Sequence, residues 1–194
     1  MFPLIATLIC VYLAHSFTLL GSPAFVRNFS TQNNDNNPHV LELPDGDLIF
    51  AHESSFISGG SAATDMVVYR LDNRGIVKWS KRIGTTESNS LTSITATTDG
   101  NIALLGSANY DPANIGWHLT VLSGEGSILL SKVYYCTDIT TAGMRLAAVP
   151  NGGGFVMIGR AKFAPSVINK VVIVKVSNAG VVEWSTRMED TLQA

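Results

Sequence analysis

The 194-residue chain is 46% hydrophobic and 14% charged, enough apolar matter for one well-buried domain and too little chain for two large ones, which excludes a disordered polymer. A formal net charge of −2 and the lack of any dense Lys/Arg run leave no basic field for a phosphate backbone, so no nucleic-acid partner is expected. The 17 glycines, the short runs of Val, Ile, Leu and Thr, and the loss of helical spacing after the N-terminus predict an all-β chain of short strands and tight turns.

Residues 1–24 read as a signal peptide or signal anchor. Phe2 to Val26 carries no acidic or basic side chain other than His15, and its densest apolar part runs from Leu4 to Ala14. Small residues in Ala14-His15-Ser16 and in Ser22-Pro23-Ala24 allow cleavage after Ser16 or after Ala24. The n-region lacks Lys or Arg, and a stretch of about 20 apolar residues is long enough for an uncleaved anchor. Gly21, Ser22 and Pro23 break the stretch before a full-length helix is complete, so cleavage is the expectation. A signal helix of this kind predicts a secreted or cell-surface protein, membrane-anchored if the segment is kept. Cys10 leaves with the signal, is preceded by Ile9 where a lipobox needs a small residue, and leaves Cys136 without an internal disulfide partner. Residues 25–39 read as a stray strand, Phe25 to Phe29, followed by an Asn-rich surface loop, Asn33 to Asn37. Asn28-Phe29-Ser30 fits the N-glycosylation acceptor pattern at Asn28.

From residue 40 to residue 188 the chain repeats itself three times, at about 40–90, 91–143 and 144–188, before a tail of residues 189–194. A first turn recurs around Gly46, Gly100 and Gly153, in Pro44-Asp45-Gly46-Asp47, Thr98-Asp99-Gly100-Asn101 and Pro150-Asn151-Gly152-Gly153, each followed by an apolar run. A second turn recurs around Gly75, Gly126 and Gly180, and four residues after each stands Trp79, Leu130 or Trp184. Glycine at these positions supplies the positive φ that two-residue hairpin turns need. Each repeat is therefore predicted to be two hairpins, in the first repeat Val40–Leu43, Asp47–Glu53, Asp65–Leu71 and Ile76–Arg82. The third strand is apolar on both faces, as in Met66-Val67-Val68-Tyr69, and so should lie between neighbouring sheets. The fourth alternates, with Val77 and Trp79 on one face and Lys78 and Ser80 on the other, as an outer strand would.

The run from Asp65 to Lys81, an aspartate, an apolar strand, a Gly turn and an outer-strand Trp, resembles the repeat of secreted bacterial-type and PQQ-like β-propellers, over roughly residues 40 to 187. The middle repeat departs from it, with Leu130 for Trp and Trp117-His118 at the strand opening. The sialidase-type Asp-box fits less well, because its spacings are each one residue shorter than those of Asp72, Gly75 and Trp79. The resemblance implies blades of four antiparallel strands, and since closed propellers use four to eight blades, three imply a partial or incomplete ring. Such a chain is a piece of a longer propeller, a truncated product, or a subunit that completes its ring through its exposed blade faces.

No chemical constellation emerges beside the repeats. His15, His39, His52 and His118 have no metal-ligand spacing, and Asp45 and Asp47 flank a tight turn without the other donors of a calcium loop. Asn151-Gly152-Gly153-Gly154 is followed by a strand rather than the helix a phosphate cradle needs. Trp79 and Trp184, at equivalent repeat positions, read as blade packing before ligand platforms. The expectation is an exported, non-enzymatic propeller-type scaffold for a protein or glycan ligand, with no cofactor and no catalytic or metal residues. The alternatives are a fragment of a PQQ-like quinoprotein oxidoreductase and a truncated product with no activity of its own.

Overall fold

The computed structural model describes residues 28–29, 33–58, 61–84, 88–111, 114–135, 141–162 and 169–188. The predicted signal segment, most of the stray strand, Cys136 and the tail lie outside the described residues. Among the described residues every regular element is a strand, twelve in chain order: β1 Asp35–Glu42, β2 Leu48–Ser58, β3 Ser61–Leu71, β4 Val77–Ile83, β5 Asn89–Ala96, β6 Ile102–Asp111, β7 Asn114–Leu122, β8 Ile128–Tyr134, β9 Thr141–Ala148, β10 Phe155–Lys162, β11 Asn169–Val176 and β12 Val182–Arg187. They form three open four-stranded antiparallel sheets, β1 to β4, β5 to β8 and β9 to β12, each a meander in chain order. The fold is all-β and built from blade-like repeats, and among the described residues no helix is long and apolar enough to cross a membrane.

The turns follow one rule with one exception. In the first repeat Leu43 N donates to Asp47 O and Gly46 N to Leu43 O, and the same pair of bonds recurs at Asp72/Ile76, Thr97/Asn101, Ser123/Ser127 and Ser177/Val181. These are three-residue turns ending in a residue at positive φ, rather than the expected two-residue turns, and Gly46, Gly75, Gly100, Gly126 and Gly180 take that place at φ 69 to 82°. A side chain at the first turn position fixes most of them. Asp72 Oδ1, Thr97 Oγ1, Ser123 Oγ and Ser177 Oγ each accept from the backbone N–H four residues on. The exception is at Gly153: one extra residue sits between Val149 N and its acceptor Gly154 O, and positive φ falls on Asn151, Gly152 and Gly154 instead.

The first strand of every sheet carries a bulge, at Asn36/His39, between Leu91 and Ser93, and opposite Ile158/Gly159. β1 consequently starts at Asp35, within the Asn-rich stretch expected to be a loop, and Asn37, at φ 56°, is a working part of it. Its Nδ2 donates to Glu53 Oε1 and to Leu91 O of the second sheet.

The sheets stack face to face in chain order through two separate cores. Ile49, Ala51, Met66 and Val68 of the first sheet meet Leu91, Ile102, Leu104 and Leu122 of the second. The other face of the second sheet, Ala103, Leu105, Leu119 and Val121, meets Leu146, Phe155, Met157 and Val176 of the third. Period-two alternation along β6 thus sends Ile102 and Leu104 one way and Ala103 and Leu105 the other, and the second sheet is buried on both faces. Each fully buried large apolar side chain contributes about 1.5 to 3 kcal/mol.

Gly126 is where turn geometry and stacking meet. It sits at φ +82°, and a Cβ there would lie 3.1 to 3.2 Å from the Trp79 ring, whereas a Cβ on Gly46, also at φ +82°, would meet nothing. Gly46→Ala should cost the left-handed penalty alone, about 1 to 2 kcal/mol. Gly126→Ala should cost more, by displacing Trp79. Urea unfolding of the two variants checks this, and equal losses would show that the contact is slack.

Candidate interaction site

Because the first and third turns of a four-stranded meander lie at the same end, the stacking gathers these turns of all three sheets on a common face. There each sheet seizes the third turn of the next. Trp79 Nε1 and Arg70 Nη1 both donate to Gly124 O, at 2.9 and 2.6 Å. One sheet further on, Tyr134 OH and Lys132 Nζ both donate to Gly180 O, at 2.9 and 2.7 Å. Leu130, at the position of Trp79, packs with its neighbours against the third sheet and would touch a Cβ on Gly180. Burial pushes the Tyr134 hydroxyl up to about 12, so the clamp stays protonated through the ordinary pH range.

At the opposite edge of the stack the first strands are tied as well. Glu53 Oε1 accepts from Leu91 N and Ser93 Oγ accepts from Leu146 N. Burial, with help from the Arg145 guanidinium of β9 and against the Glu53 carboxylate, lowers the His39 pKa on β1.

Between the turns run two clefts. One of about 490 Å³ opens between the first and second sheets, lined by Pro44, Asp45, Arg70, Asp99 and Glu125. A smaller one of about 140 Å³ lies between the second and third, lined by Asp99, Asn101, Leu129, Gly152 and Asn178. Arg70 lies in the floor of the larger cleft with its charge fully engaged: Nε donates to Asp47 Oδ2 at 2.6 Å and Nη2 to Asp45 Oδ2 at 2.5 Å. Lys78 Nζ also reaches Asp47 Oδ2 at 2.5 Å. The Lys78 ammonium first, and Arg70 with it, hold Asp47 below the usual carboxylate range against the opposing effect of burial. In the third sheet the place of Arg70 is taken by Lys175, buried and bonded to Gly153 O and Glu183 Oε2. Neither cation stood out in the sequence; the available signal was a lone basic residue near the end of an otherwise apolar third strand.

The repeat positions read from the sequence separate here. Gly75, Gly126, Gly180 and Trp79, Leu130, Trp184 fall at equivalent places, but Trp79 and Leu130 are packed beneath the next sheet while Trp184 is 49% exposed. Asn28 is exposed, and neither it nor Phe29 is in a strand; the Phe29 ring packs on Phe50 and Tyr69 at 5.4 and 5.2 Å. His118 is buried, its Nε2 bonded to Ser131 Oγ and Thr120 Oγ1, and burial lowers its pKa. Among the described residues no group of three or more His, Cys, Asp or Glu side chains is arranged to hold a metal ion. No family model matches the chain, and no curated protein matches it.

A carboxylate whose pKa is lowered by folding contributes stability above the unfolded value of about 3.9 and loses it as pH falls through the folded one. Asp47→Asn should therefore flatten the acid limb of a plot of urea midpoint against pH, and lower stability at neutral pH by about 1 to 2 kcal/mol. An unaltered limb would show that Asp47 does not carry it.

Proposed function

We propose that the chain is an exported, non-enzymatic repeat protein of the secreted, PQQ-like β-propeller type, which offers its turn end as a binding scaffold for a protein or glycan. The observation that carries this reading is the pair of clefts between the turns of consecutive sheets. Their rims are built from turn residues, and the turns at Gly124 and Gly180 are pinned by side chains of the preceding sheet, so side chains there can vary without disturbing the cores. Asp99 and Glu125 border the larger cleft beside Asp45, whose carboxylate is taken by Arg70. Two carboxylates on this rim suit a ligand that brings donors, such as the hydroxyls of a glycan or a basic peptide segment. Export rests on the apolar segment from Leu4 to Ala14, and Asn28, exposed, is the glycan acceptor if the segment enters a eukaryotic secretory pathway.

The secreted chain should retain ligands from an array of glycans and basic peptides, and Asp99→Lys with Glu125→Lys should weaken that binding about tenfold or more, each tenfold being about 1.4 kcal/mol. Lys162→Ala, away from the turns, should leave it unchanged. Retention of nothing, or retention indifferent to both substitutions in the cleft, would sink the scaffold reading at this face. Expression in a eukaryotic secretory host should also give a chain heavier by a glycan that disappears in Asn28→Gln; equal masses would remove the glycoprotein reading.

A further inference from the structure

Each sheet has an entry face, turned toward the sheet before it, and an exit face, turned toward the sheet after it. The same register position on these faces is covered where a neighbour exists and open where none does. On the entry side Val40, Ile94 and Leu146 pair with Phe50, Leu104 and Met157. Leu146 is 9% exposed and Ile94 packs on the first core, whereas Val40 is 69% exposed. On the exit side Trp79 and Leu130 are packed and Trp184 is half open, and at the end of the fourth strand Ile83 is buried while Met188 is 54% exposed. The exit face of the third sheet also bares Ile158 and Val171. The two open surfaces are thus the two halves of an interface that the chain already makes twice within itself.

We propose that a second copy of the chain docks head to tail, the exit face of one copy's third sheet packing on the entry face of the other's first sheet, and that two such contacts close a dimer of six sheets. Charge favours this arrangement over its alternatives. Arg160 and Lys162 project, exposed, from the exit face in register with Val171 and Asn169. The entry face carries Asp35, at the same end of the strands away from the turns, with Glu42 exposed in β1 at the turn end. Two exit faces brought together would oppose like charges, whereas head to tail sets basic against acidic around an apolar centre. Phe29 covers the entry face over Phe50 and Tyr69 and leaves the β1 edge with Val40 open. Heterologous contacts close when their rotations sum to a ring, and six sheets fall among the four to eight that closed propellers use. The dimer is independent of what binds at the turn end, so failure of ligand binding leaves it standing.

Light scattering of the secreted full chain should give twice the monomer mass. Trp184→Glu should weaken the dimer by roughly thirtyfold, as loss of a central tryptophan anchor does, with an unchanged circular-dichroism spectrum. Arg160→Glu should also weaken it, and Asp35→Lys added to Arg160→Glu should restore part of the loss, which a merely structural role for either residue would not. A wild-type monomer at every soluble concentration overturns the proposal, as does a dimer indifferent to Trp184→Glu. A dimer that Arg160→Glu strengthens would mean that two exit faces meet, and overturns it too.

Discussion

The structure depends on how one backbone carbonyl at each of its two sheet-to-sheet junctions is satisfied. Hairpin turns that end in a left-handed glycine leave carbonyls at the turn with no partner in their own ladder. Gly124 O and Gly180 O are taken instead by side chains of the preceding sheet, two donors to each. A non-directional apolar core would let neighbouring sheets slide and rotate over each other. Hydrogen bonds to a fixed carbonyl at one end, and to Leu91 N and Leu146 N at the other, set both the rotation and the register. Glycine is needed twice over in such a turn, for its positive φ and for the lack of a Cβ under the Trp79 ring or the Leu130 and Tyr134 side chains.

That constraint explains why charged groups sit so deep in an otherwise apolar stack. Arg70 reaches the next sheet's turn only from a position where its guanidinium is largely withdrawn from water, and an isolated charge there would be strongly unfavourable. Asp45 and Asp47, on the adjacent turn, supply the compensating charge, and Lys78 shares it. Acidic residues that the sequence presents as ordinary turn formers therefore serve as counter-ions to a cation on the neighbouring strand, β3. Lys175 repeats the arrangement with a different acid, Glu183 of the outer strand, because the longer turn around Gly153 offers a carbonyl in place of an aspartate.

Periodicity made the strands legible, and their recurrence made the three sheets legible, since a pattern of turn glycine and outer-strand tryptophan survives in sequence whatever the packing. The extra residue at Gly153 was not legible, because Asn-Gly-Gly-Gly accommodates several turns of different length and only the ladder chooses among them. Asn37 was misread for a related reason: a polar run scores as a loop, yet a bulge lets a polar residue leave the ladder and bond across to Leu91. The clefts were invisible for a stronger reason. They exist only between sheets, and no property of residues 44–45 alone places them beside residues 98–100 and 124–125.

The middle repeat shows what the other two lack. Its β7, from Gly116 to Leu122, is buried on both faces, and among the described residues its sheet alone has a neighbouring sheet on each side. It is also the repeat that departs most from the shared pattern, with Leu130 for tryptophan and His118 and Thr120 turned toward the first sheet. A sheet held from both sides can replace an anchoring indole by Leu130 helped by Lys132 and Tyr134, because the loss is shared across two cores. The third sheet has one core among the described residues, and Trp184, on the face turned away from that core, stands 49% exposed where Trp79 and Leu130 are packed.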